Sequence, residues 1–413
     1  MTTPVGIPNY QQLKKTRAGL ETVRGTKVAP TNPWYGVLAV QRHQPLADSE
    51  EYAGTWFQDY TPVRGAVMVD GTYSQQLSYD DAHLFRYCVK GGVTGTDDTN
   101  TTHGYTYAFR HTAAQDDFDT CSLEYGHPGM VFESQGVMFP EFTISGDIDD
   151  AQANWKFNSR LIGISKDLKA GLDDVAATGG TTTTFVKTGW GQTISALVGG
   201  WAHFKTGTAG NIGLFRQITA NDATSITFAA LPSSVASSDT IDVYPPFTAG
   251  ISDRTRDMIK APGTELYLDT GTIGTTKVTG RFISFSITGV SNIGYKRFME
   301  NVTTMSTRVD RGRVRVSGQV RLEFDRKREW VNYVNLQPEK LRIAQPNGPV
   351  IDSGAGTKKA AYIDVFQAVW DDPTEDTRGN NSTITWPFWG YVDSSEAVPL
   401  EIRIKNRQSS LLA

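Results

Sequence analysis

Hydrophobic and polar residues alternate along much of this chain with the period of a β-strand rather than that of a helix. The cleanest run is 313–324. Val314, Val316, Val320, Leu322 and Phe324 fall on one side, and Arg313, Arg315, Ser317, Gln319, Arg321 and Glu323 on the other. A helix would scatter these residues around its circumference. A second, weaker run covers 154–164, with Trp155, Phe157 and Leu161 opposite Lys156, Asn158 and Arg160. Ahead of each run stands a short segment of the same design, Phe142-Thr143-Ile144-Ser145-Gly146 and Phe285-Ser286-Ile287-Thr288-Gly289. Each reads aromatic, hydroxyl, isoleucine, hydroxyl, glycine. One face of each is apolar and the other carries small hydroxyls. Each half of the chain therefore offers an amphipathic strand pair, the first joined by 149–153 and the second by the longer stretch 291–310.

Shorter signals fill in the rest. Residues 62–77 read as strand and turn around Asp70-Gly71, and 105–111 and 119–125 as short strands. The best helix signal is 78–90. Ser78 and Asp81 have capping-box spacing, Leu84, Phe85 and Cys88 make an apolar stripe, and Gly91-Gly92 closes it. Residues 325–336 predict a second short helix with Trp330 and Val334 on one face, ended before Pro338. A Gly/Thr run at 178–184 opens a small β-module through Tyr244, in which Asn221-Asp222 marks a hairpin. Further strands are expected at 266–269, 277–290, 341–344, 361–370 and 400–405, with 371–382 a polar loop. The organisation expected is an N-terminal arm (1–33), a first half (34–177), an inserted β-module (178–249) and a second half (250–413). Leu13, Leu20 and Val23 give the arm something to bury on a neighbouring copy.

Composition narrows the class. The chain has 413 residues, with 40 Lys+Arg against 44 Asp+Glu, for a net charge of -4. A protein that grips nucleic acid usually carries a basic surplus, and this chain has none. Mean hydropathy is -0.35, and no apolar run approaches the ~18 residues of a membrane span. The first ten residues lack the basic and apolar regions of a secretory signal. Cys88 and Cys121 are the only cysteines, which points to two buried thiols rather than a disulfide framework. Forty glycines and many Thr-rich turns suit a mainly β protein.

Catalytic signatures fail in turn. There is no G-x-S-x-G elbow and no H-E-x-x-H, and Gly25-Thr26-Lys27 has the wrong order for a phosphate loop. His43, His83, His103, His111, His127 and His203 lack metal-ligand spacing and are expected at surface or interface positions. Asp147, Asp149 and Asp150 read as a solvated turn, because the glycine and distal glutamate of a calcium loop are missing. Glu141 and Asp147 are roughly 20 Å apart along one strand, too far for a glycosidase pair. Neither a cofactor nor a metal is expected, and the pattern points to binding or assembly rather than to an enzyme.

At this point the residues carry a resemblance. Tyr105-Thr106-Tyr107-Ala108-Phe109, Ser122-Leu123-Glu124-Tyr125-Gly126, Phe142 to Gly146 and Leu161-Ile162-Gly163 look like the first half of a major tail tube protein of tailed bacteriophages. The stretch Arg24-Gly25-Thr26-Lys27-Val28-Ala29-Pro30 is similar to the N-terminal arm of such proteins. Leu266-Tyr267-Leu268-Asp269 with Phe282 to Gly289 resembles their second half. The resemblance covers most of the chain outside 178–249. It implies a mainly β fold: a tail-tube β-sandwich with a flanking helix, whose two related halves contribute long amphipathic strands to a ring-closed β-barrel. It implies stacked, commonly hexameric rings in the virion tail, assembled in the host bacterial cytoplasm. The implied partners are further copies of the chain, the tape-measure protein, the tail terminator and distal tail proteins, and viral DNA in transit without sequence-specific binding.

On that reading the channel face draws on Glu141, Thr143, Ser145, Asp147, Lys156, Asn158, Arg160, Ser284, Ser286, Thr288, Arg313, Arg315, Ser317, Gln319, Arg321 and Glu323. Short hydroxyls and mixed charge let DNA slide, whereas unpaired cations would hold its phosphates. Tubes of this family often have an acidic bore, and this set departs from that with a slight basic excess. The inserted module is either an outward decoration or a lobe that stiffens ring contacts. Two other roles fit the same pattern. One is a distal tail or terminator ring protein. The other is a β-sandwich glycan-binding module built on Trp190, Trp201, Trp386 and Trp389.

Overall fold

The computed structural model describes residues 14–44, 46–47, 63–64, 67–89, 94–98, 104–110, 118–127, 130–249, 251, 253–296, 308–310, 312–323, 328–352, 356–379 and 381–411. The fold is mainly β and antiparallel throughout.

The centre of the molecule is one long sheet. Its strands run, edge to edge, Val37–His43, Met68–Gln76, Lys156–Gly163, Met130–Asp147, Phe282–Val290, Arg315–Glu323, Asn381–Gly390 and Thr374–Arg378. A second sheet runs Lys277–Val278, Glu265–Asp269, Glu339–Gln345, Ala360–Trp370, Leu400–Asn406, Tyr105–Arg110 and Thr96–Asp97. The sheets join where Ala368 to Trp370 pair with Phe388 to Gly390, and residues of both feed one hydrophobic cluster. A third group, Asn32–Trp34, Lys15–Leu20 and Cys121–His127, pairs onto the first part of Met130–Asp147. Among the described residues these pairings branch but do not return to their start, so they close no barrel.

The repeated segments lie side by side. Phe142 pairs with Gly289, Thr143 with Thr288, Ile144 with Ile287, Ser145 with Ser286, and Gly146 with Phe285. A half-turn about the Ile144–Ile287 pair thus exchanges the two copies. Each aromatic ring covers the glycine of the other copy, and only glycine leaves it room. A Cβ on Gly289 would stand 2.5 Å from the Phe142 ring, and one on Gly146 2.6 Å from the Phe285 ring. The symmetry extends outward. Arg160 and Leu161 take the places of Arg321 and Leu322 on the neighbouring strands.

Pro140 and Gly71 hid two of these strands from the pattern. Pro140 lies inside Met130–Asp147 at a register shift between Met138 and Glu141, where the missing N–H costs no ladder bond. Asp70-Gly71 reads as a turn but lies mid-strand. A Cβ on Gly71 would meet the Ala39 carbonyl at 2.2 Å, so the glycine serves close strand approach. The expected loop 371–382 contains the strand Thr374–Arg378 instead. Its partner strand carries Pro387 at the gap between two outer neighbours, the 374–378 and 368–370 segments.

Both helices differ from expectation. The first is a kinked 3-10 helix, Tyr79–Tyr87, and every one of its residues is buried, so it belongs to the core and does not flank it. Its capping box forms, with the Ser78 N–H donating to the Asp81 carboxylate at 2.9 Å. The second, Arg328–Val334, leaves Trp330 and Val334 exposed, and it buries Glu329 against Arg281. The described part of the arm, from Lys15 onward, pairs within its own chain. Leu20 packs on the core, Val23 is exposed in a turn, and Leu13 lies outside the described residues.

The inserted module is a seven-stranded sheet beginning at Leu172, six residues earlier than the Gly/Thr run suggested. It has a separate core, including Phe185, Phe204, Ile226 and Ile241. Its two connections converge on Glu124, which is almost fully buried and accepts from Lys169 Nζ and from the Thr248 backbone N–H at 3.0 Å.

Candidate functional site

Burial alternates strictly along the two repeated segments, with Phe142, Ile144, Phe285 and Ile287 inward and the hydroxyl residues partly exposed. Register then aligns the exposed positions into rows that cross the sheet. One row is Ser74, Asn158, Thr143, Thr288 and Ser317. The next is Gln76, Lys156, Ser145, Ser286 and Gln319. Asp147, Ser284 and Arg321 make a third, and Glu141 lies between Arg160 and Val290 in a fourth. Fifteen of the sixteen expected residues thus occupy one face of one sheet. Arg313 is exposed but precedes the strand, which begins at Arg315. Val314, expected to face inward, is exposed, and Phe324 lies outside the described residues.

The hydroxyls satisfy one another across the strands. Thr143 Oγ1 and Thr288 Oγ1 are 2.9 Å apart, and Ser74 Oγ donates to Asn158 Oδ1 at 2.6 Å. Of the five expected cations, Lys156, Arg160 and Arg321 are matched by carboxylates, and Arg313 and Arg315 are exposed. Arg160 bridges to Asp70 at 3.3 Å, Arg321 to Asp376 at 2.8 Å, Lys156 to Asp150 at 2.5 Å and Arg378 to Asp149 at 2.6 Å. The hydrogen bond from Lys156 holds the Asp150 carboxyl below its usual range, and Asp149 holds Arg378 above its own. The slight basic excess counted along the sequence is therefore offset by acids from neighbouring strands and turns. Such a face offers donors and acceptors already in use, and few free charges for an anion to displace.

Sequence reasoning missed the outer strands of this face. Ala39, Gln41, Asp70, Thr72 and Ser74 share it, and the alternation through 68–76 was the available signal, broken by the apparent turn at Gly71. The other candidates resolve separately. Cys88 and Cys121 are both buried and free, and burial pushes both thiols up. His83 is buried, contrary to expectation, and burial lowers its imidazole to about 3. The four tryptophans do not form one platform. Trp386 is buried, Trp190 packs on Phe185 in the module core, and exposed Trp389 donates to Asp371. Among the described residues no group of three or more His, Cys, Asp and Glu is placed to hold a metal, and no helix is long and apolar enough to cross a membrane.

A scan against protein-family models finds no match, and a search of curated proteins finds none.

Proposed function

We propose that this chain is the repeating subunit of a phage tail tube, with the polar face of the large sheet lining the bore. The observation that carries the reading is that face itself: a broad, continuous surface of cross-bonded hydroxyls and amides with most charges matched, backed by a largely apolar core face. Within one subunit such a face is an open sheet whose edges need partners, and a ring of copies supplies them. DNA and the tape-measure protein pass a wall that has little to grip them with, since phosphate retention requires unmatched cations. The inserted module, with its own core and fixed tethers, stands apart from the sheet as an outward lobe or a ring brace.

Negative-stain microscopy of the purified full-length chain tests the reading. Stacked rings or tubes with an open bore are expected. A protein that stays monomeric across a wide concentration range would sink it.

A further inference from the structure

The two outer strands of the large sheet, Val37–His43 and Thr374–Arg378, each have a single strand partner among the described residues. We propose that they pair with each other between copies, the Thr374–Arg378 edge of one subunit adding antiparallel to the Val37–His43 edge of the next. This rests on the tube reading and names its subunit contact. The contact is head-to-tail, so it propagates from copy to copy and forms a ring where the rotation between copies closes.

Three observations support it. First, direction matches. Eight antiparallel strands separate the outer sides of the two edges, and an even count keeps the alternation intact from one copy to the next. Second, the offset matches closure. Following the register from Ala39 through Thr72, Arg160, Glu141, Val290 and Arg315 leads to one end of the 381–390 strand, whereas Thr374 pairs at Thr385. Joining polar face to polar face with the two edges centred on each other then takes a shift of about eight or ten residues, roughly 26–33 Å, across a sheet about 38 Å wide. That ratio tilts the strands by about 35–41°, inside the range of about 35–45° that closed barrels adopt.

Third, the charges are complementary. Asp371, Asp372 and Glu375 lie at one edge, all exposed, while Asp376 there is already held by Arg321. Lys14, Lys15 and Lys166 line a groove of about 790 Å³ beside the other. Lys166 Nζ donates to the Val40 carbonyl at 2.7 Å, a bond that an incoming strand would replace with its own N–H.

Cysteine pairs test the contact. Gln41→Cys combined with Asp376→Cys, and Gln41→Cys combined with Thr374→Cys, cover the two registers that keep the polar faces together and centre one edge on the other. Mild oxidation of the assembled full-length protein is expected to give a covalent ladder beyond the dimer for one pair. The single-cysteine parents should stop at dimers. Rings or tubes without a ladder from either pair would overturn this contact and leave the tube reading standing. Absence of both particles and ladder would overturn the two together.

Discussion

The two halves of the large sheet answer the same packing problem with different residues. In the first half Phe157 stacks on Phe142, with ring centroids 6.3 Å apart and planes 14° off parallel. The position equivalent to Phe157 in the second half is Gly318. Phe388, from the next strand, fills the space, and a Cβ on Gly318 would stand 2.5 Å from its ring. The polar face is kept only close to the axis. Thr143 and Ser145 exchange with Ser286 and Thr288, and Arg160 exchanges with Arg321, each arginine held by an acid from a different part of the chain. The inward face tolerates any solution that fills volume. The outward face preserves its hydroxyls and one arginine, but it exchanges Lys156 for Ser317, Glu141 for Ser284 and Asp147 for Val290.

The strongest way to break this comparison is to remove the fillers. Phe157→Ala and Phe388→Ala should each lower stability by about 3–5 kcal/mol in urea denaturation. A cost at Phe388 below about 1 kcal/mol would show that it does not stand in for Phe157. The reciprocal ring-over-glycine contact comes next. Gly289→Val should cost about 1–3 kcal/mol through overpacking against Phe142, and Phe142→Ala in the same chain should recover part of that loss.

The third test separates the helices of the two halves. His83 sits in the buried helix, and its imidazole is lowered to about 3 by burial first and by Arg254 next. The unfolded chain binds this proton below about pH 6.5 while the folded chain does not. Stability from this group is therefore complete above pH 6.5. It falls as pH drops toward 3, by as much as about 1.4 kcal/mol per pH unit. His83→Gln should flatten the stability profile between pH 6.5 and 3. An unchanged slope would show that the buried imidazole is not a source of acid sensitivity.

The central strands were legible because one wet and one dry face impose a period of two, and because the repeat placed hydroxyls at matched positions. What the sequence concealed were strands whose signals are read locally as breaks. Gly71, Pro140 and Pro387 each mark a turn or an end on propensity alone. In the fold they occupy a close approach, a bulge and a gap between partners, all set by distant residues. Likewise the charge balance of the polar face was not readable from its own strands. Asp70, Asp149, Asp150 and Asp376, which neutralise it, come from a strand read as a turn, from the hairpin connection and from a strand read as a loop.

The half-turn about Ile144 and Ile287 has a consequence for anything that travels over the sheet. Rotation replaces each hydroxyl near the axis by another hydroxyl. A passing molecule therefore meets nearly the same sequence of small polar bumps whether it moves up or down the strands. Close to the axis the wall carries no arrow, and any preference for one direction of travel must be written farther out, where Lys156, Glu141 and Asp147 exchange with Ser317, Ser284 and Val290.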